Sequence, residues 1–292
     1  MTTQAHSKIR TYYELTKPRV TYGNVLTVVA GFLFASYGFI DAWLLLWTTV
    51  GMTLVIASAC VLNNYLDQDI DSRMARTKKR PSVTGEVSGR NMVLFSATLG
   101  LLGAASLYAF TNLLVVIAAI IGFIVYVVFY GMWSKRMSVH GTLVGSISGA
   151  VPILAGYLAV SGSIDIGAVL VFTILFLWQL PEFYSIAVYR KDEYKAANVP
   201  VTSVTRGIKK TKTQIFVYTI AFVIATLLLT VYGYTGLVYT VVMALLGLYW
   251  TWLGYKGLRT KDNDAWARQM FRFSLIVLLL FSLMISIDAY LA

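Results

Sequence analysis

Residues 51–81 read GMTLVIASACVLNNYLDQDIDSRMARTKKRP. An apolar run passes without a turn signal into Asp67, Asp69 and Asp71. Arg73, Arg76, Lys78, Lys79 and Arg80 follow almost at once. Extended back to residue 43, the apolar part reaches the ~20 residues needed to cross a bilayer as a helix. The stretch therefore predicts a membrane helix whose end carries concentrated charge.

The rest of the chain repeats the apolar theme. Of 292 residues, 58% are hydrophobic and 13% charged, against about 25% charged in a soluble domain. Apolar windows fall at about 20–40, 43–66, 92–111, 113–133, 141–160, 165–188, 214–233, 236–255 and 270–290. Lipid cannot bond an exposed backbone, so each window is expected to be helical. The expected fold is all-α, with nine transmembrane helices around a central cavity in a single domain spanning 1–292. With nine crossings, all 24 Lys and Arg fall on one side. Positive residues favour the cytoplasm, which makes segment 1–19 cytoplasmic and stretches 67–91 and 189–213 the cytoplasmic cap loops. The same placement argues against a nucleic-acid partner, despite a net charge of +11. No apolar core precedes the first window, so no cleavable signal peptide is expected. One cysteine, Cys60, and two histidines, His6 and His140, argue against a Cys- or His-built metal site.

Asn63, Asp67 and Asp71 are spaced i, i+4, i+8 and drift only ~80° around a helix, so they share a face. Asp69 points elsewhere. Two carboxylates and an amide form a hard-oxygen set of the kind Mg²⁺ prefers. The basic cluster behind them suits phosphate oxygens. Two readings stand: a metal–diphosphate site, or a solvated helix end whose charges pair with one another.

NNYLDQDIDSRMARTKKRP resembles the first aspartate-rich motif of the UbiA superfamily of intramembrane prenyltransferases. The likeness, closest to a haem-modifying branch, continues through ELTKPRVTYGN at 14–24, YGMWSKRMSVHGTLVGSISGAVPILAGYLAVSG at 130–162, FLWQLPEFYSIAVYRKDEYKAANVPV at 176–201 and WARQMFRFSL at 266–275. It implies Mg²⁺ dependence and transfer of a farnesyl group from farnesyl diphosphate to a vinyl group of haem b. It implies metal contacts from Asn63, Asp67 and Asp71, and diphosphate contacts from Lys78 and Arg80. Lys17, Arg19, Tyr130, Lys135, Arg136, Gln179, Tyr189 and Arg190 become candidate substrate contacts, with membrane anchoring as the competing role for the basic ones. It further implies an inner-membrane location and haem A synthase or a terminal oxidase as partners.

One position departs from the pattern. Relatives in this branch carry His directly after Pro181, whereas Glu182 stands here. Glu182 is expected to complete the metal site from the sixth helix. A structural ion pair with a nearby base, or an altered acceptor, are the other readings. Two rival functions stay open: prenylation of a quinone precursor or another aromatic, and ion transport.

Overall fold

A computed structural model describes residues 8–291, all of them helix or connection. The long helices are α1 (Pro18–Ser36), α2 (Ala42–Leu66), α3 (Gly89–Phe110), α4 (Leu113–Met137), α5 (Gly141–Ser161), α6 (Ile166–Tyr189), α7 (Gly207–Val231), α8 (Leu237–Arg259) and α9 (Asn263–Ile287). Among the described residues, eight helices, α2 to α9, are long and apolar enough to cross a membrane. α1 has 19 residues and is more polar, because Arg19, Thr21, Tyr22 and Asn24 occupy its first half.

Local chemistry sets the ends. Pro18 starts α1 at the position where its missing N–H costs nothing. Asp41 accepts the amides of Trp43 and Leu44 at 3.0 Å, and Asp165 accepts Ala168 N at 2.8 Å, so these acids cap α2 and α6 at the pole opposite the basic clusters. Two helices begin earlier than apolar patterning suggests. α7 opens at Gly207, so the end of the expected 189–213 loop is helix. α9 opens at Asn263, capped by Asp262, whose carboxylate accepts Ala265 N at 3.1 Å. The first turns of α9 bury Trp266, Ala267 and Met270 and expose Asp264, Arg268 and Arg272, so a plain hydropathy count misses them.

Each helix packs on its neighbours in two linked groups. α1, α2, α4 and α5 adjoin in turn around one circuit, and α1, α5, α6 and α9 around a second. α1 and α5 belong to both. They meet closely at one depth: a Cβ on Gly31 would strike the carbonyl of Ile153, and one on Gly156 the carbonyl of Val28. Nearer the basic pole, nothing lies within 4 Å of a Cβ placed on Gly23. The pair is tight at depth and looser towards the pole that holds the aspartates. A separate apolar groove of about 410 Å³ runs among α2, α3 and α4, lined by residues such as Val55, Leu62, Ile120 and Phe123.

Candidate active site

α2 delivers Asn63 at its last turn, and the chain continues through Asp67 into a short helix, Gln68–Ser72. The near-helical path keeps Asn63, Asp67 and Asp71 together, and all are at most 3% exposed. Buried carboxylates need compensation, and each has it. Lys135 Nζ lies 2.5 Å from Asp67 Oδ2, and an Arg136 nitrogen lies 4.0 Å from Asp67 Oδ1. Arg80 donates to Asp71 Oδ2 at 2.5 Å and to Asn64 Oδ1 at 3.3 Å. Asn63 Oδ1 accepts from Lys17 Nζ and, at 3.3 Å, from the Tyr126 hydroxyl. Asp69 does face away: Arg136 clamps it with two bonds of 2.7 Å, holding its carboxyl below the usual range.

Two local distortions aim these cations. Lys17 sits at φ 50°, a left-handed conformation that is uncommon for a non-glycine residue. That twist turns the chain from the Lys8–Leu15 helix into α1 and leaves Lys17 against α2. Burial lowers the Lys17 pKa to about 8, with Arg80 and Lys135 adding repulsion against the pull of Asp67. The second distortion is in α4, where Val125–Ser134 is wound as a π-helix. In an α-helix, residues nine apart such as Tyr126 and Lys135 would lie about 180° apart. The wider i→i+5 winding brings both towards the end of α2, where one meets Asn63 and the other Asp67. Tyr130 lies in the same segment, stacked 5.8 Å from Tyr126, with Lys135 Nζ 5.8 Å above its ring.

Glycines on α5 make room for these side chains. A Cβ on Gly145 would sit 3.1 Å from the Tyr130 ring, and one on Gly149 would overlap the Gln179 amide. Gln179 itself is buried and donates to Leu175 O at 3.0 Å and Ser146 O at 3.4 Å. Above the site, Ile70 and Met74 from one connection pack on Ala197 and Val199 from the other. Arg76 reaches Glu193 at 3.7 Å, and Glu193 also takes Arg190 at 2.7 Å. The two connections thus form one cap.

Other expected residues lie elsewhere. Arg19 and Lys78 are exposed, and their side chains make no bond to a described residue. Arg190 and Tyr189 sit at the end of α6, away from the aspartates' ion pairs. Glu182 is 8% exposed, and its carboxylate bonds to and pairs with no described residue, so the structural ion pair is absent and no contact links it to Asp67 or Asp71. Asn24 donates to Val20 O of its own helix, whereas Asn64 ties two segments together through Leu15 O at 2.8 Å. Sequence spacing missed Tyr126, because an α-helical register points it away from Lys135.

The donors are suited to a hard cation. Asp67 Oδ1 is buried without a hydrogen-bond partner, and the oxygens of Asn63, Asp67 and Asp71 are of the type Mg²⁺ takes. Buried carboxylates ringed by Lys17, Arg80 and Lys135 are the arrangement that an enzyme handling a diphosphate at the membrane surface needs.

Comparison with known proteins agrees. Residues 24–276 match the UbiA prenyltransferase family, and the chain belongs to it. It is 46% identical over 281 residues to protoheme IX farnesyltransferase of Pseudomonas putida, covering 96% of this chain and 95% of that one. The protoheme IX farnesyltransferase of Pseudomonas syringae pv. tomato is equally similar, 46% over 280 residues and with the same coverage of both chains. The fold is similar to that of a digeranylgeranylglyceryl phosphate synthase, with TM-score 0.82, 21% identity and coverage of 98% and 99%. It is also similar to a UbiA homologue from Archaeoglobus fulgidus bound to GPP and Mg²⁺, with TM-score 0.71, 16% identity and coverage of 94% and 99%.

Proposed function

We propose that this membrane prenyltransferase moves the farnesyl group of farnesyl diphosphate to a vinyl group of haem b, with Asn63, Asp67, Asp71 and the cations around them as the diphosphate site. The observation that carries the reading is the buried pairing of Asp67 with Lys135 and of Asp71 with Arg80. The relatives' shared name, protoheme IX farnesyltransferase, supports the donor and the acceptor.

Asn63, Asp67 and Asp71 would hold Mg²⁺, which when bound supplies positive charge to a diphosphate leaving group. Lys135 and Arg80 exchange a carboxylate for phosphate oxygens, and Lys17 adds a third cation. Such a preorganised field stabilises charge as it gathers on the departing diphosphate. The cap formed by Ile70, Met74, Ala197 and Val199 keeps water from the allylic cation left behind. The electron-rich vinyl group attacks that cation, and water captures the carbocation so formed and gives up a proton to solvent, leaving a hydroxyethylfarnesyl substituent. Glu182 makes no contact with the oxygen set, so we assign it to the acceptor's side rather than to the metal.

In this reading α1 is a ninth crossing, segment 1–19 and both connecting caps face the cytoplasm, and the membrane is the cell's inner one. Membranes carrying the protein, given haem b, farnesyl diphosphate and Mg²⁺, should yield a farnesylated, hydrated haem by mass, and EDTA should abolish it. Diphosphate release with an aromatic acceptor, and no modified haem, would keep the donor site and replace the acceptor.

A further inference from the structure

We propose that the pole-facing end of the α6–α9 seam is a carboxylate anchor for the acceptor, in which Arg268 and Arg190, both set against the ring of Tyr189, take the two carboxylates of a tetrapyrrole. This rests on the acceptor reading above and adds a residue, Arg268, that was not among the candidate substrate contacts.

Tyr189 ends α6 and lies 6.1 Å from the Phe271 ring of α9. Arg268 Cζ is 4.6 Å and Arg190 Cζ 5.4 Å from the Tyr189 centroid. Cation–π contact favours each guanidinium singly, but two like charges on one ring repel. A single carboxylate, Glu193, answers them, and it bonds Arg190 and also pairs with Arg76. Arg268 bonds to no described carboxylate. The cluster is therefore short of anionic charge, and planar guanidinium forks favour carboxylates.

The wall below fits the rest of such a ligand. Glu182, Ile186 and Tyr189 follow i, i+4, i+7 along one face of α6. Glu182 lies ~10.5 Å deeper than Tyr189 with a drift of only ~20°. Between them the half-buried Ile186 is apolar. Trp178 Nε1 donates to Ser274 O at 2.8 Å and ties α6 to α9 below this face. A cationic rim, an apolar middle and one buried acid at depth suit a flat molecule with two carboxylates on one edge and apolar substituents on the other. The same α6 borders α5, whose Gly145 and Gly149 seat Tyr130 and Gln179, so donor and acceptor would meet across the space α1 and α5 leave open.

The test compares haem b with its dimethyl ester, which keeps the vinyl groups and loses both charges. Both are titrated by Soret absorbance into the full-length detergent-solubilised protein, as wild type, Arg268→Met and Arg268→Lys. Wild type should bind haem b more tightly than the ester. Arg268→Met should weaken haem b about tenfold, the scale of one charge-assisted hydrogen bond, and leave the ester and the KM for farnesyl diphosphate unchanged. Arg268→Lys should recover part of the loss. Unchanged haem affinity in Arg268→Met, or equal losses for haem and ester, would overturn the anchor and leave Arg268 as a membrane-surface residue. Failure of wild type to bind haem b at all would overturn the acceptor reading, and the anchor with it.

Discussion

Lys135 Nζ and Asp67 Oδ2 lie 2.5 Å apart although 68 positions separate them in the chain. One closes α4 and the other follows α2, so the contact fixes two membrane helices at the mouth of the site. Removing one partner leaves a buried charge uncompensated, which costs about 3–5 kcal/mol, whereas removing both costs far less. Lys135→Met should therefore lower the unfolding temperature in detergent, and Lys135→Met with Asp67→Asn should restore much of it while remaining inactive. Equal destabilisation by the single and double variants would show that the pair is not coupled.

The π segment of α4 should matter as a register device. Deleting Phe129 restores an α-like count and turns Lys135 about 100° away from Asp67. We expect the variant to insert as a helix, measured by circular dichroism, but to lose farnesyl transfer by at least about a hundredfold, as misplaced groups do. Tyr126→Phe, which removes only the 3.3 Å hydroxyl bond to Asn63, should cost about tenfold or less.

Gly149 is a packing position with a functional consequence. Its added Cβ would collide with the Gln179 amide, and overpacking of this kind costs about 1–3 kcal/mol. Gly149→Val should lower both thermal stability and turnover, and Gly149→Val with Gln179→Ala should recover stability in a melting experiment.

The Arg76–Glu193 contact is looser, at 3.7 Å and with Arg76 42% exposed. Exposed pairs contribute about 0–1 kcal/mol. Arg76→Gln should change stability and the KM for farnesyl diphosphate by no more than about twofold. A larger effect would mean that the cap needs this latch to close.

Much of the architecture was legible because lipid leaves little choice. Long apolar windows had to be helices, and the clusters of basic residues lie at helix ends and connections. The Asn63–Asp67–Asp71 register survived because the chain runs through the end of α2 with almost helical geometry. Less could be read where a helix departs from α winding or from apolar composition. The π-helix that brings Tyr126 and Lys135 towards one place leaves no mark in a hydropathy pattern. The polar first turns of α7 and α9 read as loop, and Arg268 was hidden among surface charges there. Spacing alone could not separate Arg80, which meets Asp71, from Lys78, which is exposed two positions away.

The central claim is that the buried aspartates of α2 and its extension handle the prenyl diphosphate. Farnesyl transfer to haem b should be followed by mass in membranes carrying equal amounts of wild type, Asp67→Ala and Asp71→Ala, with Mg²⁺ present and folding checked by detergent melting. We expect modified haem from wild type and none from either folded variant. Wild-type-like product from Asp67→Ala or Asp71→Ala would contradict the assignment of this site.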